Sequence, residues 1–519
     1  MRSPAVPAPP LSLPSAIVPT SSTSAPALPV VGRWELMRRG VVVLWHALPI
    51  VVSVLRDRRR WIVRGTPLTR SAAFHAQRAG QLVRAITVLG PTYVKLAQMA
   101  AARADLIPGV YVDRLAGLLD QVPAVPWTAI DDILRRAWPA PLRQTLEPID
   151  RTPLAAGSLG QVHAARLRAP SGERAVVIKV LRPGIARIIA RDLAILRALI
   201  GWVYRRFPHP HVKGYLVVLD QFEHHIEDEL DFRREAEVTS AIGARFADDA
   251  RIRIPAVLAD YTRQEVMVLA RVEGQRIDRL DARTMTAEQL DGLVERLIEA
   301  YVRMMLIDGR FHADPHPGNL WLAPDGALVF LDFGMVSTVA VHTRQQLLRT
   351  VLASIRRDPL AVAHCFEQLE MLVPGTSADQ FAPLAERLLA IGYSTGTTGE
   401  RAQLVADEVM RELFSWPITL PPALVYFART AALIEGVGAR YDANFNSVAT
   451  ASRVVLRLYP EIARALGESV WDLPPDTMAS VAGTVAGTAM RAAVTRVRQL
   501  ERAVGAAVSA TLDALFEER

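Results

Sequence analysis

Cysteine is almost missing from this chain of 519 residues, which contains Cys365 alone, so no disulfide can form within it. A chain without disulfides is typical of a reducing cytoplasm. Aromatic residues are also scarce, at 6% of the total, although 50% of the residues are apolar. A chain of this length and apolar content is expected to bury a large core in two or more domains.

Apolar runs long enough to cross a membrane are missing as well. The stretch from Gly40 to Leu55 contains Pro49 and is shorter than the ~20 residues that a spanning helix needs. Arginines flank it, at Arg38 and Arg39 on one side and from Arg56 onward on the other. The pattern leaves two alternatives open: a helix held on a membrane surface by arginines, or a buried helix that packs on the main domain.

The net charge of the chain is +7, which suits contact with an anionic membrane surface or a phosphorylated ligand. No motif that reads DNA or RNA accompanies this charge, so we expect no nucleic-acid partner.

The motif that carries most chemistry is FHADPHPGN (311–319), followed by LDFG (331–334). Asp314 and Asn319 are five positions apart, which is the spacing of a kinase catalytic loop, and Asp332 begins a DFG triplet. Asp314 is the candidate that orients the attacking group, either water or an acceptor hydroxyl. Asn319 and Asp332 are candidate Mg²⁺ ligands, because a hard cation prefers oxygen donors.

The segment between Asn319 and Asp332 consists of an apolar run, a Pro-Asp-Gly turn and a second apolar run. This order predicts a β-hairpin, which would bring Asn319 and Asp332 together at its open end. A surface hairpin with a polar rim is the alternative, but the DFG triplet and the catalytic-loop spacing together argue against it.

A phosphate-binding region is predicted upstream. Lys179 lies in a strand that is similar to the V-A-I-K strand of kinases, whose lysine contacts the α- and β-phosphates. Glu235, on a helix predicted from Glu229 to Phe246, is its expected partner. An ordinary strand lysine and a solvated acidic patch are the alternatives when each is taken alone. The loop that would cover the phosphates through its backbone N–H groups contains Ala155, Ala156, Gly157, Ser158, Gly160 and Gln161.

Patterns along the chain predict a small sheet lobe followed by a helical lobe. Strands are predicted at 160–168, 174–181 and 265–272. The proposed divisions are a disordered tail (1–32), an N-terminal helical extension (33–150), a sheet-rich lobe (151–275), a helical lobe (276–460) and a helical tail (461–519).

In combination, the motifs resemble those of the UbiB/AarF family of atypical kinase-like proteins, also called the ADCK or coenzyme Q kinase-like family. The resemblance implies an α+β, bilobal protein-kinase-like fold with a small β-rich N-lobe, a helical C-lobe, an N-terminal helical extension and a helical C-terminal region. It extends from about Leu82 to about Asn446. The stretches that carry it are AAGSLGQVH (155–163), VVIKVLRPGI (176–185), ELDFRREAE (229–237), DGRFHADPHPGNL (308–320) and LDFGMV (331–336).

A lid over the active site is also implied by the resemblance. The Lys-x-Gly-Gln signature of the family is present as Lys95-Leu96-Ala97-Gln98, with alanine in place of the glycine. The resemblance implies that Lys95 and Gln98 point into the nucleotide pocket, with Glu229 and Asp231 as the partners of Lys95. Such a lid would be autoinhibitory or substrate-selecting, and it argues against a large protein substrate.

Two departures from the family concern the nucleotide. Gly157 stands where the family has alanine, so we expect a different nucleotide preference and turnover. Residues Leu269 to Arg271 replace the usual Met-Glu of the hinge. Because the contacts expected there are made by backbone carbonyls, Leu269 and Arg271 remain candidates for binding adenine.

The resemblance implies ATP and Mg²⁺ as cofactors, in phosphoryl transfer or ATP hydrolysis that supports isoprenoid quinone biosynthesis or lipid metabolism. It places the protein in the cytoplasm, in peripheral contact with the inner face of the membrane, where a quinone precursor, a lipid and biosynthetic enzymes are possible partners. Residues 477–490, the best candidate for the family's C-terminal membrane helices, are too few to span.

Two other functions remain open. A small-molecule kinase of the aminoglycoside or choline kinase type would share the catalytic loop but would lack the helix of Lys95 and Gln98. A nucleotide-switched scaffold with little catalysis is the other alternative, and the full set of Lys179, Asp314, Asn319 and Asp332 argues against it.

Overall fold

The structure is a computed structural model. The residues it describes are 28–56, 71–101, 111, 114, 123–170, 172–206, 208, 210–281, 285–313, 317–372, 375–393, 422–442 and 445–467. Most of the tail predicted for residues 1–32 and most of the tail predicted for 461–519 lie outside these ranges, as does the stretch 477–490.

The described part of the N-terminal extension begins with three helices: α1 (Arg33–Arg56), α2 (Ala72–Leu89) and α3 (Pro91–Ala101). Ser71 caps α2 by accepting a hydrogen bond from the Phe74 N–H. Gly90 follows α2 with a φ of 93°, a conformation that favours glycine, and Pro91 then starts α3. Val43 of α1 packs into a cluster with apolar residues of α2 and α3.

The segment from Gly40 to Leu55 is therefore one part of a longer helix, with one face packed on the protein and the other exposed. The packed face agrees with the alternative of a helix that packs on the main domain, and contact of the exposed face with a membrane stays a prediction. None of the described helices is both long and apolar enough to cross a membrane.

The N-lobe is a four-stranded antiparallel sheet in the order β1-β2-β3-β5. Its elements are α4 (Trp127–Ala137), α5 (Ala140–Gln144), β1 (Ala155–Ala156), β2 (Gly160–Ala169), β3 (Gly172–Leu181), α6 (Ile185–Arg206), α7 (Pro210–Glu229), α8 (Phe232–Arg245), β4 (Ile252–Arg253) and β5 (Val266–Ala270). Strands β2, β3 and β5 confirm the strands predicted at 160–168, 174–181 and 265–272 to within a few residues.

Helices cover both faces of this sheet. Alternate residues of β3 point to opposite faces, so Ile178 and Val180 pack against α4. Leu181 packs on the other side with apolar residues of α6, α7 and α8. Lys179 shares this second side by alternation, which directs it toward α8.

The predicted helix from Glu229 to Phe246 is wrong at its start. Helix α7 ends at Glu229, and α8 begins only at Phe232. Asp231 forms the break, because its extended backbone and its carboxylate, which accepts from the Arg233 N–H, make it the N-cap of α8. Asp231 is therefore the cap of α8 and not a position within the helix.

The C-lobe is mainly helical. Its elements are β6 (Gln275–Arg276), α9 (Ala287–Val302), a π-helical segment (Arg303–Asp308), β7 (Arg310–His312), β8 (Leu320–Leu322), β9 (Leu328–Phe330), β10 (Val336–Thr338), α10 (Val341–Ile355), α11 (Pro359–Gln368), α12 (Ala378–Gly392), α13 (Pro422–Tyr441) and α14 (Ser447–Leu466). Short 3₁₀ turns lie at Ala259–Tyr261, Ile277–Arg279 and Pro317–Asn319. One large apolar core joins α9, α10, α13 and α14 to the strands.

The predicted hairpin between Asn319 and Asp332 is confirmed. Strands β8 and β9 pair antiparallel, with Leu320 opposite Phe330 and Leu322 opposite Leu328. At the open end the Leu331 N–H donates to the Asn319 carbonyl across 2.9 Å, so the backbones next to Asn319 and Asp332 are held together. The α+β arrangement of a small sheet lobe and a helical lobe agrees with the prediction.

Candidate functional site

A cleft of about 760 Å³ is lined by residues from both lobes and from α3. The predicted site residues on its walls are Lys95, Gln98, Ala155, Ala156, Gly157, Ser158, Gly160, Lys179, Glu229, Glu235, Asn319 and Asp332. These residues come from positions 95 to 332 of the sequence, so the fold brings together groups that are distant along the chain.

Lys179 is the centre of the charged part of the cleft. Its Nζ lies 2.6 Å from Glu235 Oε1 and 3.1 Å from Asp332 Oδ2. The ring of Phe232 lies beneath the ammonium, with its centroid 5.2 Å from Nζ. One cation thus bridges the carboxylate of α8 and the carboxylate of the DFG triplet.

Glu235 is the most buried of these carboxylates, with its side chain 4% exposed. Burial raises its pKa to about 7; the Lys179 ammonium opposes this rise, and the nearby Asp332 and Glu229 carboxylates add to it. The ionised form of Glu235 therefore depends on the position of Lys179.

The pKa of Asp332 is shifted in the opposite direction, below its usual range. Burial alone would raise its pKa, but the Lys179 ammonium and the hydrogen bond from the Gly334 N–H outweigh this and hold the pKa well below the usual range. Likewise, burial would lower the pKa of Lys179, but the carboxylates of Asp332 and Glu235 outweigh burial and raise it. At neutral pH the Asp332 carboxylate is ionised, which a role as a cation ligand requires.

The geometry of the DFG triplet explains its glycine and its phenylalanine. The Gly334 N–H donates to Asp332 Oδ1 across 2.9 Å. A Cβ on Gly334 would lie 3.1 Å from that oxygen, which is closer than an ordinary contact, so a side chain would crowd the Asp332 carboxylate; Glu235 Oε2, at 3.7 Å, would be in ordinary contact. Phe333 is buried against His312, with ring centroids 5.3 Å apart, and anchors the triplet in the C-lobe core.

The loop before β2 is tightly folded. The Gly157 N–H donates to the Gly160 carbonyl across 2.8 Å. At Gly160 a Cβ would lie 2.5 Å from the Val180 carbonyl oxygen, so the close approach of β2 to β3 requires glycine there. At Gly157 a Cβ would meet only the Gly160 oxygen, at an ordinary 3.7 Å.

Arg182 holds this loop in place, and sequence reasoning missed it. Its guanidinium donates to the Gly157 carbonyl through Nε and Nη2 and to the Pro123 carbonyl through Nη2. Burial lowers its pKa. The feature of the sequence that could have identified Arg182 is its location directly after β3, in the sequence Leu-Arg-Pro-Gly.

Three predicted nucleotide-binding residues do not line the cleft. Gln161 is buried, and its amide pairs with the Val125 backbone and with the His163 ring. Leu269 is buried in the apolar cluster beneath the sheet, and Arg271 is exposed and uses its N–H to bond the Ala175 carbonyl. Alternation explains Gln161, since Gly160 and Val162 point to the cleft.

The lid residues separate into two groups. Lys95 Nζ lies 2.7 Å from Glu229 Oε1, and both side chains are largely buried at the cleft. Gln98, one turn later on α3, also lines the cleft. Asp231 pairs instead with the guanidinium of Arg233 at 2.6 Å, in keeping with its role as the cap of α8.

Asp314, the candidate that orients the attacking group, lies outside the described residues. The arginines Arg276 and Arg279 line the cleft on the C-lobe side, although no motif pointed to them. Arg276 is bound to Asp278 through two hydrogen bonds of 2.9 and 3.0 Å.

Comparison with known families gives one match over much of the chain. Residues 117–366 match the model of the ABC1 atypical kinase-like domain. This range includes the loop before β2, Lys179, the break at Asp231 and the DFG triplet.

Curated relatives come from a cyanobacterium and a plant. The protein slr0889 of Synechocystis sp. (strain ATCC 27184 / PCC 6803 / Kazusa) is 33% identical over 368 residues, which cover 69% of this chain and 89% of that protein. ACTIVITY OF BC1 COMPLEX KINASE 3, chloroplastic, of Arabidopsis thaliana is 32% identical over 75% of this chain and 53% of its own length. Synechocystis sll0005 is 29% identical over 83% of this chain and 61% of its own length. The chain thus spans little more than half of these last two relatives.

Among solved structures, the complex of Rv3197 with erythromycin from Mycobacterium tuberculosis superposes with a TM-score of 0.53 at 22% identity. The match covers 74% of this chain and 97% of that one. This similarity concerns the fold.

Proposed function

This chain belongs to the ABC1 atypical kinase-like family, the UbiB/AarF family that its motifs resemble, and we propose that it binds ATP with Mg²⁺ and transfers or hydrolyses the terminal phosphoryl group. The acceptor is then a small molecule or water.

The observation that supports this proposal most is the bridge made by Lys179 between Glu235 and Asp332, at the side of a small-residue loop. A cation held between two carboxylates is fixed in place, and it can stabilise phosphate oxygens that enter the cleft. The loop from Ala155 to Gly160 lines the same cleft, and its small residues let phosphate oxygens approach the backbone.

The donor set of the cleft fits Mg²⁺ bound together with nucleotide phosphates. Asp332 offers an ionised carboxylate, and Asn319, whose amide oxygen is the second candidate ligand, lines the same cleft. Mg²⁺ is usually held by one or two protein oxygens, with phosphates and waters completing the shell. When bound, it would neutralise charge that develops on the phosphates.

Each of the described residues then has a role that its surroundings explain, and Asp314 is given its role by its position in the motif. Lys179 contacts the phosphates, and Glu235 keeps it in position. The loop, held by Arg182, covers the phosphates. Asp332 and Asn319 hold the cation, and Asp314, five residues before Asn319, orients the attacking oxygen.

The lid favours a small acceptor. Lys95 and Gln98 extend from α3 into the cleft, and the ion pair of Lys95 with Glu229 ties α3 to the end of α7. In this position the helix takes up space that a protein substrate would need. It would have to move for a larger acceptor to enter.

The proposal extends to the setting of the reaction. We propose that the enzyme supports isoprenoid quinone biosynthesis or lipid metabolism, in peripheral contact with the inner face of the cell membrane and together with biosynthetic enzymes. Family membership, the net charge of +7 and the exposed apolar side chains of α1 support this extension.

Calorimetric titration with ATP, with and without Mg²⁺, tests nucleotide binding directly. The wild type is expected to bind ATP more tightly with Mg²⁺, and Asp332→Asn is expected to lose that difference. Asp248→Asn is the matched control, because Asp248 is an exposed acid outside the cleft. Absence of ATP binding, or an unchanged Mg²⁺ effect in Asp332→Asn, would contradict the proposal.

A further inference from the structure

The exposed face of α1 is unusually apolar. Of the 14 large hydrophobic side chains that are exposed among the described residues, seven lie on this one helix. Trp34 and Trp45 are the most exposed of these seven side chains, with 70% and 75% of their surfaces in contact with solvent. Monomeric proteins rarely expose so many large apolar groups together without a partner.

Six of these seven side chains form one stripe. The outer face of α1, defined as Trp34, Met37, Val41, Leu44, Trp45 and Leu48, has spacings of three and four residues, with Leu44 and Trp45 adjacent. Such spacings place residues on one side of a helix. At 1.5 Å per residue the stripe is roughly 20 Å long.

The helix cannot roll to bury this stripe, because its opposite side is already fixed. Val43 is 3% exposed within the cluster of α2 and α3. Arg39 donates to both carboxylate oxygens of Asp192 on α6, each at 2.9 Å, and Asp192 is fully buried. A rotation of α1 would leave that carboxylate buried without this guanidinium, at a high cost in solvation.

The charges around the stripe are positive. Arg33 and Arg38 are exposed on α1. The one acid of the helix, Glu35, is bound by Arg187 at 2.8 Å and lies 3.7 Å from Arg191. A symmetric contact between two copies of this face would bring Arg38 of each copy into an interface whose own stripe offers no acid. Anionic phosphate groups complement it instead.

We propose that the outer face of α1 docks onto the surface of a bilayer that contains anionic phospholipids, with the apolar side chains at the level of the acyl-chain boundary. The tryptophans suit the interface between headgroups and acyl chains, and the arginines reach the phosphates. This inference specifies the membrane contact of the proposed function, and it does not depend on phosphoryl transfer.

Co-sedimentation of the full-length protein with vesicles tests the docking without nucleotide. Vesicles of phosphatidylcholine alone are compared with vesicles that also contain phosphatidylglycerol. The wild type is expected to bind the anionic vesicles, and the double variant Trp34→Glu/Trp45→Glu to bind at least about tenfold more weakly, since binding scales with the buried apolar area. Arg38→Leu is expected to reduce the preference for anionic vesicles by about fivefold, while the apolar side chains of α1 still insert into both kinds of vesicle.

The matched control is Val341→Glu/Leu360→Glu, which adds two acids at exposed apolar positions of the C-lobe. Thermal unfolding of every variant shows that the fold is retained. Docking by α1 is overturned if the wild type does not bind vesicles, or if Trp34→Glu/Trp45→Glu binds as the wild type does. A wild-type dimer in solution that this double variant dissociates, without any vesicle binding, would identify a second copy as the occupant.

Discussion

Lys179 and Glu235 lie 2.6 Å apart, ammonium to carboxylate, at the junction of the sheet and α8. Strand alternation directs Lys179 to this side, and the break at Asp231 sets the start of α8 and with it the position of Glu235. The pair is therefore the product of two separate local features. Asp332, 3.1 Å from the same ammonium, connects the pair to the C-lobe.

The first prediction concerns the stability of this cluster. Lys179→Met should lower the free energy of unfolding by about 3 kcal/mol, because it leaves the buried Glu235 carboxylate and the partly exposed Asp332 carboxylate beside it without their cation. The double variant Lys179→Met/Glu235→Met should recover a large part of that loss. Chemical denaturation measures both, and a double variant less stable than Lys179→Met would contradict the argument.

The second prediction concerns pH. Burial raises the pKa of Glu235 from 4.5 to about 7, so the folded state holds more protons than the unfolded state between these values. The contribution of Glu235 to stability is therefore present below pH 4.5 and is lost as the pH rises to 7. The depressed pKa of Asp332 acts below this window, because it affects stability only as the pH falls below 3.8.

The free energy of unfolding, measured from pH 4.5 to pH 8, tests this direction of the pH dependence. The wild type should lose stability relative to Glu235→Gln as the pH rises. Glu237→Gln, an exposed change on the same helix, should leave the wild-type profile intact. A constant difference between wild type and Glu235→Gln across the window would refute the assignment.

The third prediction concerns the loop. Gly157→Ala should fold normally, because the added Cβ meets only an ordinary contact of 3.7 Å. It should nevertheless change the ratio of ATP to ADP affinity, since a methyl group enters the phosphate-binding loop. Equal affinities of wild type and variant for both nucleotides, measured by calorimetry, would contradict this expectation.

The fourth prediction concerns Arg182. Arg182→Met removes the hydrogen bonds to the Gly157 and Pro123 carbonyls, so the loop should become mobile and ATP affinity should fall about tenfold or more. Arg168→Met, on the exposed side of β2, is the control. An affinity unchanged in Arg182→Met would show that the loop does not depend on this anchor.

The fifth prediction concerns the lid. Lys95→Met breaks the ion pair with Glu229 that ties α3 over the cleft. If the lid is autoinhibitory, ATP turnover should rise severalfold in this variant, and steady-state assays measure it. Turnover that falls together with ATP affinity would instead identify Lys95 as a nucleotide ligand.

Local patterns predicted a large part of this architecture. The hairpin follows from two apolar runs around Pro-Asp-Gly, and the β2–β3 pair from a similar pattern, because both depend on neighbouring residues. The break between α7 and α8 was missed because Asp231 fits a helix interior by periodicity, and only the cap geometry distinguishes the two cases. Gln161 contacts Val125, which is 36 residues away, and Arg182 contacts Pro123, which is 59 residues away. No local sequence pattern specifies such distant contacts.

Hydrolysis of ATP by the purified full-length protein, with and without anionic vesicles, tests the central claim most directly. The account predicts Mg²⁺-dependent hydrolysis that increases with vesicles, disappears in Asp332→Asn and persists in Asp248→Asn. ATP binding without hydrolysis in the wild type, whether or not vesicles are present, would contradict transfer of the phosphoryl group to water and would favour a nucleotide-switched scaffold.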